Sequence, residues 1–324
     1  MSVAMLCPAG FEAMVADAAR QELPKFAVER ESSGFIRART VAPVRQLRGF
    51  PCASNIFAVL DEVPRSMVDR ELTALGRRVP QIERPSGLPM RGSVRLRIHD
   101  DGQFAPTNGR LAAEMEREIA SWSGLRVSRS GASLEVWLLR RRDEPNTILA
   151  TKLSEGVRRS AQGVLRPEIC ATLARIEPLR GASLVMDPFA GSGVIGKACL
   201  EAGARYVWLN DVKGTQRSGN CVRWTHQNTL RLAVPPASVD VIVTDPPWGK
   251  FSSVPGGVEG LYSGVGSAAA RWLRPGGAIV VLTGAPEAAV RALVEGSELS
   301  VERLYPVLIN GRKARVIRAR KGFC

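Results

Sequence analysis

Histidine is nearly absent from this chain, with His99 and His226 the only two in 324 residues. The six cysteines, Cys7, Cys52, Cys170, Cys199, Cys221 and Cys324, lie far apart and form no CxxC pair. That combination offers no ligand spacing for zinc, so no metal is expected. Cys170 and Cys199 sit among apolar helix residues, where a reduced thiol behaves as a small hydrophobe, and no cysteine is assigned a role. Long apolar runs are also missing. None approaches the roughly 18 residues a membrane helix needs, and mean hydropathy is −0.04, so a soluble protein is expected. The N-terminal residues Met1 to Gly10 lack a basic stretch followed by an apolar one, which leaves the cytoplasm as the expected compartment.

Basic side chains, by contrast, are in excess: 45 Lys and Arg against 31 Asp and Glu give a formal charge of +14. A polyanion is the natural partner of such a surface, and RNA, DNA or an anionic membrane would each satisfy it. A compositional bias toward arginine would produce the same number, so charge alone does not choose.

The length suggests two or three units. Val3–Cys7, Phe26–Glu29, Gly34–Ala38 and Ile56–Leu60 read as strands, with helices over Phe11–Glu22 and Val41–Leu47, the latter interrupted early by Pro43. That βαββαβ order predicts a ferredoxin-like unit over residues 1–66. A second α+β unit is expected over residues 67–152. It has helices at Val68–Arg78 and Leu111–Trp122, strands at Val94–Ile98, Leu134–Leu139 and Thr147–Ala150, and a loop carrying Pro80, Pro85, Gly87, Pro89 and Gly92. From residue 163 to the end, apolar strands alternate with helices, as in a parallel sheet covered on both faces. Leu184–Met186, Tyr206–Leu209, Val239–Val243 and Ala278–Leu282 are the strand candidates. Leu304–Ile309 and Ala314–Arg318 flank Asn310-Gly311, a strong hairpin signal, so the sheet should end in an antiparallel pair. The expected fold class is α/β, a Rossmann-like domain preceded by two α+β units.

Asp187-Pro188-Phe189-Ala190-Gly191-Ser192-Gly193 follows the first of these strands and opens a helix. Small residues there let a ligand approach the backbone. Gly191-x-Gly193-x-x-Gly196 also satisfies the dinucleotide fingerprint, with Asp211 at the spacing of a ribose-binding acid, so NAD and S-adenosylmethionine compete. Two features favour the methyl donor: the strand ends on Asp187, and no phosphate needs neutralising. Asp187 can face the cationic amino-acid end of S-adenosylmethionine while Asp211 accepts both ribose hydroxyls. Helix capping is the alternative role for both acids. Asn228 can receive the adenine amino group, and is equally ordinary in a turn.

Val239–Val243 runs into Asp245-Pro246-Pro247-Trp248-Gly249, the most specific signal in the chain. An amine conjugated to a purine is a poor nucleophile, and acceptors that draw its hydrogens out of plane restore the lone pair. The Asp245 carboxylate and the Pro246 carbonyl can both accept, Pro247 stiffens the turn, and Trp248 offers a face on which a base can stack. A buried Pro-Pro turn with Trp248 as core filler is the bland alternative.

These residues resemble the amino-methyltransferases with an Asp/Asn/Ser-Pro-Pro-aromatic motif. DPFAGSG together with DPPWG narrows the resemblance to the THUMP-containing RNA guanine-N2 methyltransferases. Val164-Leu165-Arg166-Pro167-Glu168-Ile169 is similar to the start of that family's catalytic domain, and Leu273-Arg274-Pro275-Gly276-Gly277 to its turn before a late strand. The resemblance implies a THUMP RNA-binding domain over residues 67–152 and S-adenosylmethionine as cofactor. It implies Asp187, Phe189, Gly191, Gly193, Asp211 and Asn228 around that cofactor, Asp245, Pro246, Pro247 and Trp248 as catalytic residues, and tRNA as substrate. Two positions depart from the pattern: Trp248 stands where tyrosine is usual, and Asn228 where an acid is usual. By the same resemblance Arg140, Arg141 and Arg142, with Arg312, Lys313, Arg315, Arg318, Arg320 and Lys321, are candidate phosphate contacts. Ribosomal RNA, adenine N6 and a protein glutamine are the rival acceptors. A degenerate RNA-binding protein is the non-enzymatic rival, although Asp245 and the loop glycines are all present.

Overall fold

The computed structural model describes residues 1–105, 108–154, 164–179, 181, 184–214, 216–249, 254 and 256–323. Residue 163, where the third unit was expected to begin, most of the linker before it, and Cys324 lie outside them. The chain divides into two compact units, Met1–Cys7 with Ala19–Val157, and Pro8–Ala18 with Arg158–Cys324.

The first 64 residues give β1 (Ser2–Leu6), α1 (Glu12–Glu22), β2 (Ala27–Ser32), β3 (Phe35–Arg39), α2 (Val44–Gly49) and β4 (Asn55–Pro64). Pro43 is the N-cap of α2 rather than a break within it, because its fixed φ of −67° suits the residue that precedes a helix. There follow α3 (Val68–Arg78), β5 (Ser93–Asp100), β6 (Gln103–Phe104), α4 (Gly109–Ser123), β7 (Arg126–Val127), β8 (Leu134–Arg140) and β9 (Asn146–Lys152). The α4 helix starts where the Asn108 side chain accepts from the Arg110 amide at 3.0 Å, and stops at Gly124 in the left-handed region (φ 68°). Both expected N-terminal units contribute to one nine-stranded sheet. Its order is β2-β3-β1-β4-β9-β8-β5-β6, with β7 beside β5, and β4 pairs antiparallel with β9 across the expected boundary.

The second unit contains α5 (Pro167–Leu173), β10 (Val185–Asp187), α6 (Val194–Glu201), β11 (Val207–Asn210), β12 (Val222–Thr225), β13 (Val239–Thr244) and α7 (Gly257–Trp272). β14 (Leu273–Thr283), α8 (Glu287–Val294), β15 (Leu299–Ile309) and β16 (Arg312–Lys321) complete it. Its sheet runs β12-β11-β10-β13-β14-β16-β15, parallel through β14 and antiparallel across β16 and β15. Met186, Ile242, Ile279, Val281, Tyr262 and Trp272 form the centre of its buried core. The order reverses between β10 and β13, so crossovers leave to opposite sides and a crevice opens at the carboxyl ends of those two strands. The Asp187 loop and the Asp245 tetrapeptide leave from those ends.

Two details differ from the sequence expectation. Leu273–Gly277 is not a turn before β14 but a bulged start within it: Val239 pairs with Leu273 and Val241 with Ala278, and Gly276 takes φ 74°. β12, a four-residue edge strand with no fully buried side chain, carries too little apolar pattern to be read from sequence. The Asn310-Gly311 tip behaves as expected, both residues having positive φ (50° and 77°) as a two-residue turn of this hand requires.

Candidate active site

At the end of β10, Asp187 is almost wholly buried, at 2% exposure. Its Oδ1 accepts from the Phe189 amide (3.1 Å) and from the Thr244 hydroxyl (2.7 Å), which ties the first strand of the crevice to the last residue of β13. Its Oδ2 is equally buried and has no hydrogen-bond partner among the described residues. Burial pushes this carboxyl up to about 7, the two hydrogen bonds resist, and the nearby Asp245 and Asp211 charges push the same way as burial. A buried carboxylate oxygen without a partner calls for a cation or donor. The α-amino group of S-adenosylmethionine fits that demand, and a dinucleotide phosphate does not.

The loop that follows is shaped for a close approach. Gly191 (φ 53°) and Gly193 (φ 83°) are both in the left-handed region, and a Cβ on Gly193 would meet the Trp224 ring at 2.8 Å. Trp224 stacks against His226, with ring centroids 5.9 Å apart and planes 17° from parallel. Phe189 is partly buried against the core. Asp211 follows β11 and is more occupied than its sequence role suggests: its oxygens accept from the Gly191 and Lys213 amides, each at 2.9 Å. Each oxygen retains acceptor capacity, so Asp211 anchors the loop and still presents a carboxylate. Asn228 is exposed and accepts from the Leu230 amide at 3.0 Å, capping the 3₁₀ turn Thr229–Arg231. Asn228 thus fills the turn role weighed for it in the sequence, and its side-chain oxygen retains acceptor capacity. The buried residue that organises this edge is Asn210, whose amide donates to the Gln227 carbonyl (3.0 Å) and Thr229 hydroxyl (3.2 Å).

On the other side of the crevice, the tetrapeptide follows β13. Asp245 and Trp248 are half-buried, Pro246 is buried and Pro247 exposed. The Trp248 indole N–H donates to Asp245 Oδ1 at 2.8 Å, and its ring lies against Gly284, where a Cβ would collide with it. Trp248 is therefore neither core filler nor a free stacking face alone; it also orients the carboxylate. Burial pushes Asp245 up to about 7, against that hydrogen bond. Below, the Tyr262 hydroxyl and Thr283 are buried and joined by a short hydrogen bond of 2.5 Å. The Cys170 thiol is pushed up to about 12, first by burial and then by the Asp187 and Asp245 charges, and stays neutral. A cavity of about 660 Å³ adjoins the tetrapeptide, lined also by Arg166, Ile169, Ile309, Asn310 and Arg312. That volume is ample for a base together with its sugar.

The arginine runs divide. Arg140 is buried and bound to Glu71 (2.8 Å), Asp100 and the Ser66 carbonyl, so it is a structural cation and not a phosphate contact. Arg318 and Arg320 are engaged by Glu177 and Glu302, Arg315 by Glu287, and Lys321 by Glu298. Charge counts in a sequence cannot show such internal pairing. Sequence reasoning also missed Thr244, Trp224 and Gly284. Thr244 had a signal, as the residue before the tetrapeptide, whereas nothing local marked the other two.

A seven-stranded sheet of this order, with a glycine loop and acid at one switch-point strand and an Asp-Pro-Pro-Trp turn at the next, defines a Rossmann-like methyltransferase domain. Residues 210–314 match the family model described as UPF0020, RMKL-like, methyltransferase domain. No curated protein matches the chain. Among solved structures, TrmN from Thermus thermophilus superposes with a TM-score of 0.76 at 21% identity, covering 99% of each chain. SMU.472, solved with SAH, gives 0.66 at 11% identity over 99% of this chain and 98% of its own. A predicted N6-adenine-specific DNA methylase from Listeria monocytogenes gives 0.66 at 14% identity over 98% and 95%. At these identities the likeness is one of fold. Among the described residues no helix is long and apolar enough to cross a membrane, and no cluster of His, Cys, Asp and Glu could hold a metal ion.

Proposed function

We propose that this protein methylates the exocyclic N2 of a guanosine in tRNA. The observation that carries the reading is the Asp245-Pro246-Pro247-Trp248 turn, which lines a cavity with room for a nucleoside and is linked through Thr244 to the buried acid of the cofactor loop. Asp187, Gly191, Gly193 and Asp211 would hold S-adenosylmethionine, with Phe189 and Asn228 flanking it. When bound, it supplies a methyl group on a positively charged sulfur.

The chain's own residues do the rest. Asp245, held by the Trp248 indole, accepts from the substrate amine, and the Pro246 carbonyl is the second acceptor. Together they draw both hydrogens from the ring plane and leave the nitrogen lone pair free to be aimed at the methyl group. Alignment is the larger part of the rate gain. A carboxyl that is near 7 when free is also poised to take the proton the product amine must lose. Trp248 stacks the base once it has been unstacked from the RNA, which costs a few kcal/mol that contacts elsewhere offset. The nine-stranded N-terminal unit, proposed as the ferredoxin-like and THUMP regions, would supply those contacts in the cytoplasm, where tRNA is matured.

Unmodified tRNA transcripts incubated with labelled S-adenosylmethionine and digested to nucleosides test this directly. Label in N2-methylguanosine is the expected result. Label in N6-methyladenosine, or transfer only to ribosomal RNA or protein, would overturn it.

A further inference from the structure

The tetrapeptide chemistry serves any exocyclic amine beside a stackable ring, so it does not explain a choice of guanine over adenine. Some other group must read the remaining edge of the base. Among the charged residues lining the cavity beside Asp245, two are arginines, Arg166 and Arg312. Arg312 belongs to the exposed hairpin tip. Arg166 is built in. It is the N-cap residue of α5, where Pro167 fixes the first helical position, and its carbonyl accepts from the Ile169 and Cys170 amides (3.0 and 3.2 Å), so the backbone cannot shift without unwinding the helix. Its guanidinium is paired through Nη1 with Glu168 at 3.4 Å, and the Glu168 side chain is 4% exposed. Its Nε–H, at the other end of the fork, is buried and has no hydrogen-bond partner among the described residues.

A guanidinium anchored at one end by a buried carboxylate, on a side chain that is 38% exposed and lines the cavity, is arranged to bind an acceptor. Two acceptors side by side suit its planar fork best. Guanine offers such a pair in O6 and N7, on the edge of the ring system remote from N2, whereas adenine presents an amino group in place of O6. Resting on the N2-guanine reading above, we infer that Arg166 is the specificity-determining residue: it donates to the O6/N7 edge of the flipped guanine while Asp245 accepts from N2. Glu168 sets the angle of the fork and keeps its charge compensated. Adenine placed with its amino group at Asp245 would leave the Arg166 donor buried without an acceptor, and guanine would not.

The test uses the full-length protein and an RNA carrying, at the position that receives label, either guanosine or 2-aminopurine riboside. The analogue keeps the reactive amine and N7 and lacks O6. Wild-type kcat/KM should favour guanosine by about 10²-fold or more, because a site built to donate to an oxygen rejects an analogue without it. Arg166→Lys keeps the charge beside Glu168 and loses the fork. It should cut that preference at least tenfold, chiefly through loss on guanosine, with 2-aminopurine turnover falling less, by the N7 contact alone, and S-adenosylmethionine affinity unchanged. Equal losses on both bases would assign Arg166 to a phosphate or to the fold and overturn the inference. So would a wild-type enzyme indifferent to O6, a result that holds even if the variant fails to fold. Failure of the N2-guanine reading is visible separately, as N6-methyladenosine from the wild type before Arg166 is altered.

Discussion

Buried acids in the N-terminal unit are met by cations, whereas the C-terminal unit holds both paired acids and unpaired ones. In the N-terminal sheet, Glu71 on α3 is 1% exposed, and Arg140 at the end of β8 reaches it at 2.8 Å while also binding Asp100 and a carbonyl. In the C-terminal unit Asp240, 5% exposed, is likewise paired with Arg274, but Asp187 at 2% has no cationic partner among the described residues. Its partners there are a hydroxyl and an amide, and Asp245 nearby has an indole. A buried charge that serves the fold is compensated within the fold. A buried acid left uncompensated at the carboxyl edge of a switch point is compensated by something that comes and goes. The contrast marks Asp187 and Asp245 as the acids to test for function.

The sharpest break of that contrast is Asp245→Ala. Methyl transfer should fall by about 10²- to 10⁴-fold, the range for losing a positioned proton acceptor, with affinity for donor and RNA nearly intact. Turnover assays beside calorimetric titration of S-adenosylmethionine check it, and unchanged turnover would return the tetrapeptide to a structural role. Next in size is Arg140→Met, which strands Glu71. It should destabilise the N-terminal unit by about 3–5 kcal/mol in denaturant unfolding and leave cofactor binding to the other unit unaltered. A neutral result would mean that water reaches Glu71 and that the pairing is incidental.

Asp211→Ala should weaken S-adenosylmethionine about tenfold or more, since charged hydrogen bonds contribute about 1.5–3 kcal/mol each. Because the same carboxylate holds the Gly191 amide, part of that loss will come from a loosened loop, and Asp211→Asn should recover some of it. NADH binding in place of the methyl donor would sink the cofactor assignment. The gentlest effect is on pH. Asp187 has a folded-state value of about 7 against an ordinary carboxyl near 4, so the free protein holds a proton there that the unfolded chain has already lost. Its contribution to stability therefore declines as pH rises from about 4 to 7 and is level above that. A cationic ligand restores the charged form, so S-adenosylmethionine affinity should fall by up to about tenfold per pH unit below 7. Binding near pH 7 should release protons, seen as a dependence of calorimetric heat on buffer ionisation. Asp187→Asn should abolish both. Affinity that is flat from pH 5 to 8 would show that Asp187 does not meet the amino group.

Much of this molecule was legible from residue order. The alternation of apolar strands with helices, the loop from Asp187 to Gly193, the Asp-Pro-Pro-Trp turn and the Asn310-Gly311 hairpin each depend on local chemistry: period, positive φ, fixed proline φ. Such features survive translation from sequence to structure because neighbours along the chain decide them. β12 was not legible, since a four-residue edge strand is made by pairing with β11 and not by its own pattern. The burial of Arg140 was invisible for a related reason, its partners Glu71 and Asp100 being 69 and 40 residues away.

Residue order settles which chemical groups are available: two acids at strand ends, glycines between them, and an indole beside the second acid. Folding decided what state those groups are in. It brought β10 and β13 side by side, joined Asp187 to Thr244, laid Trp248 on Gly284 so that its N–H meets Asp245, and left Asp187 Oδ2 and Arg166 Nε buried without partners among the described residues. Composition counts charges, but desolvation and pairing depend on what surrounds each one, and that is a property of the packed fold.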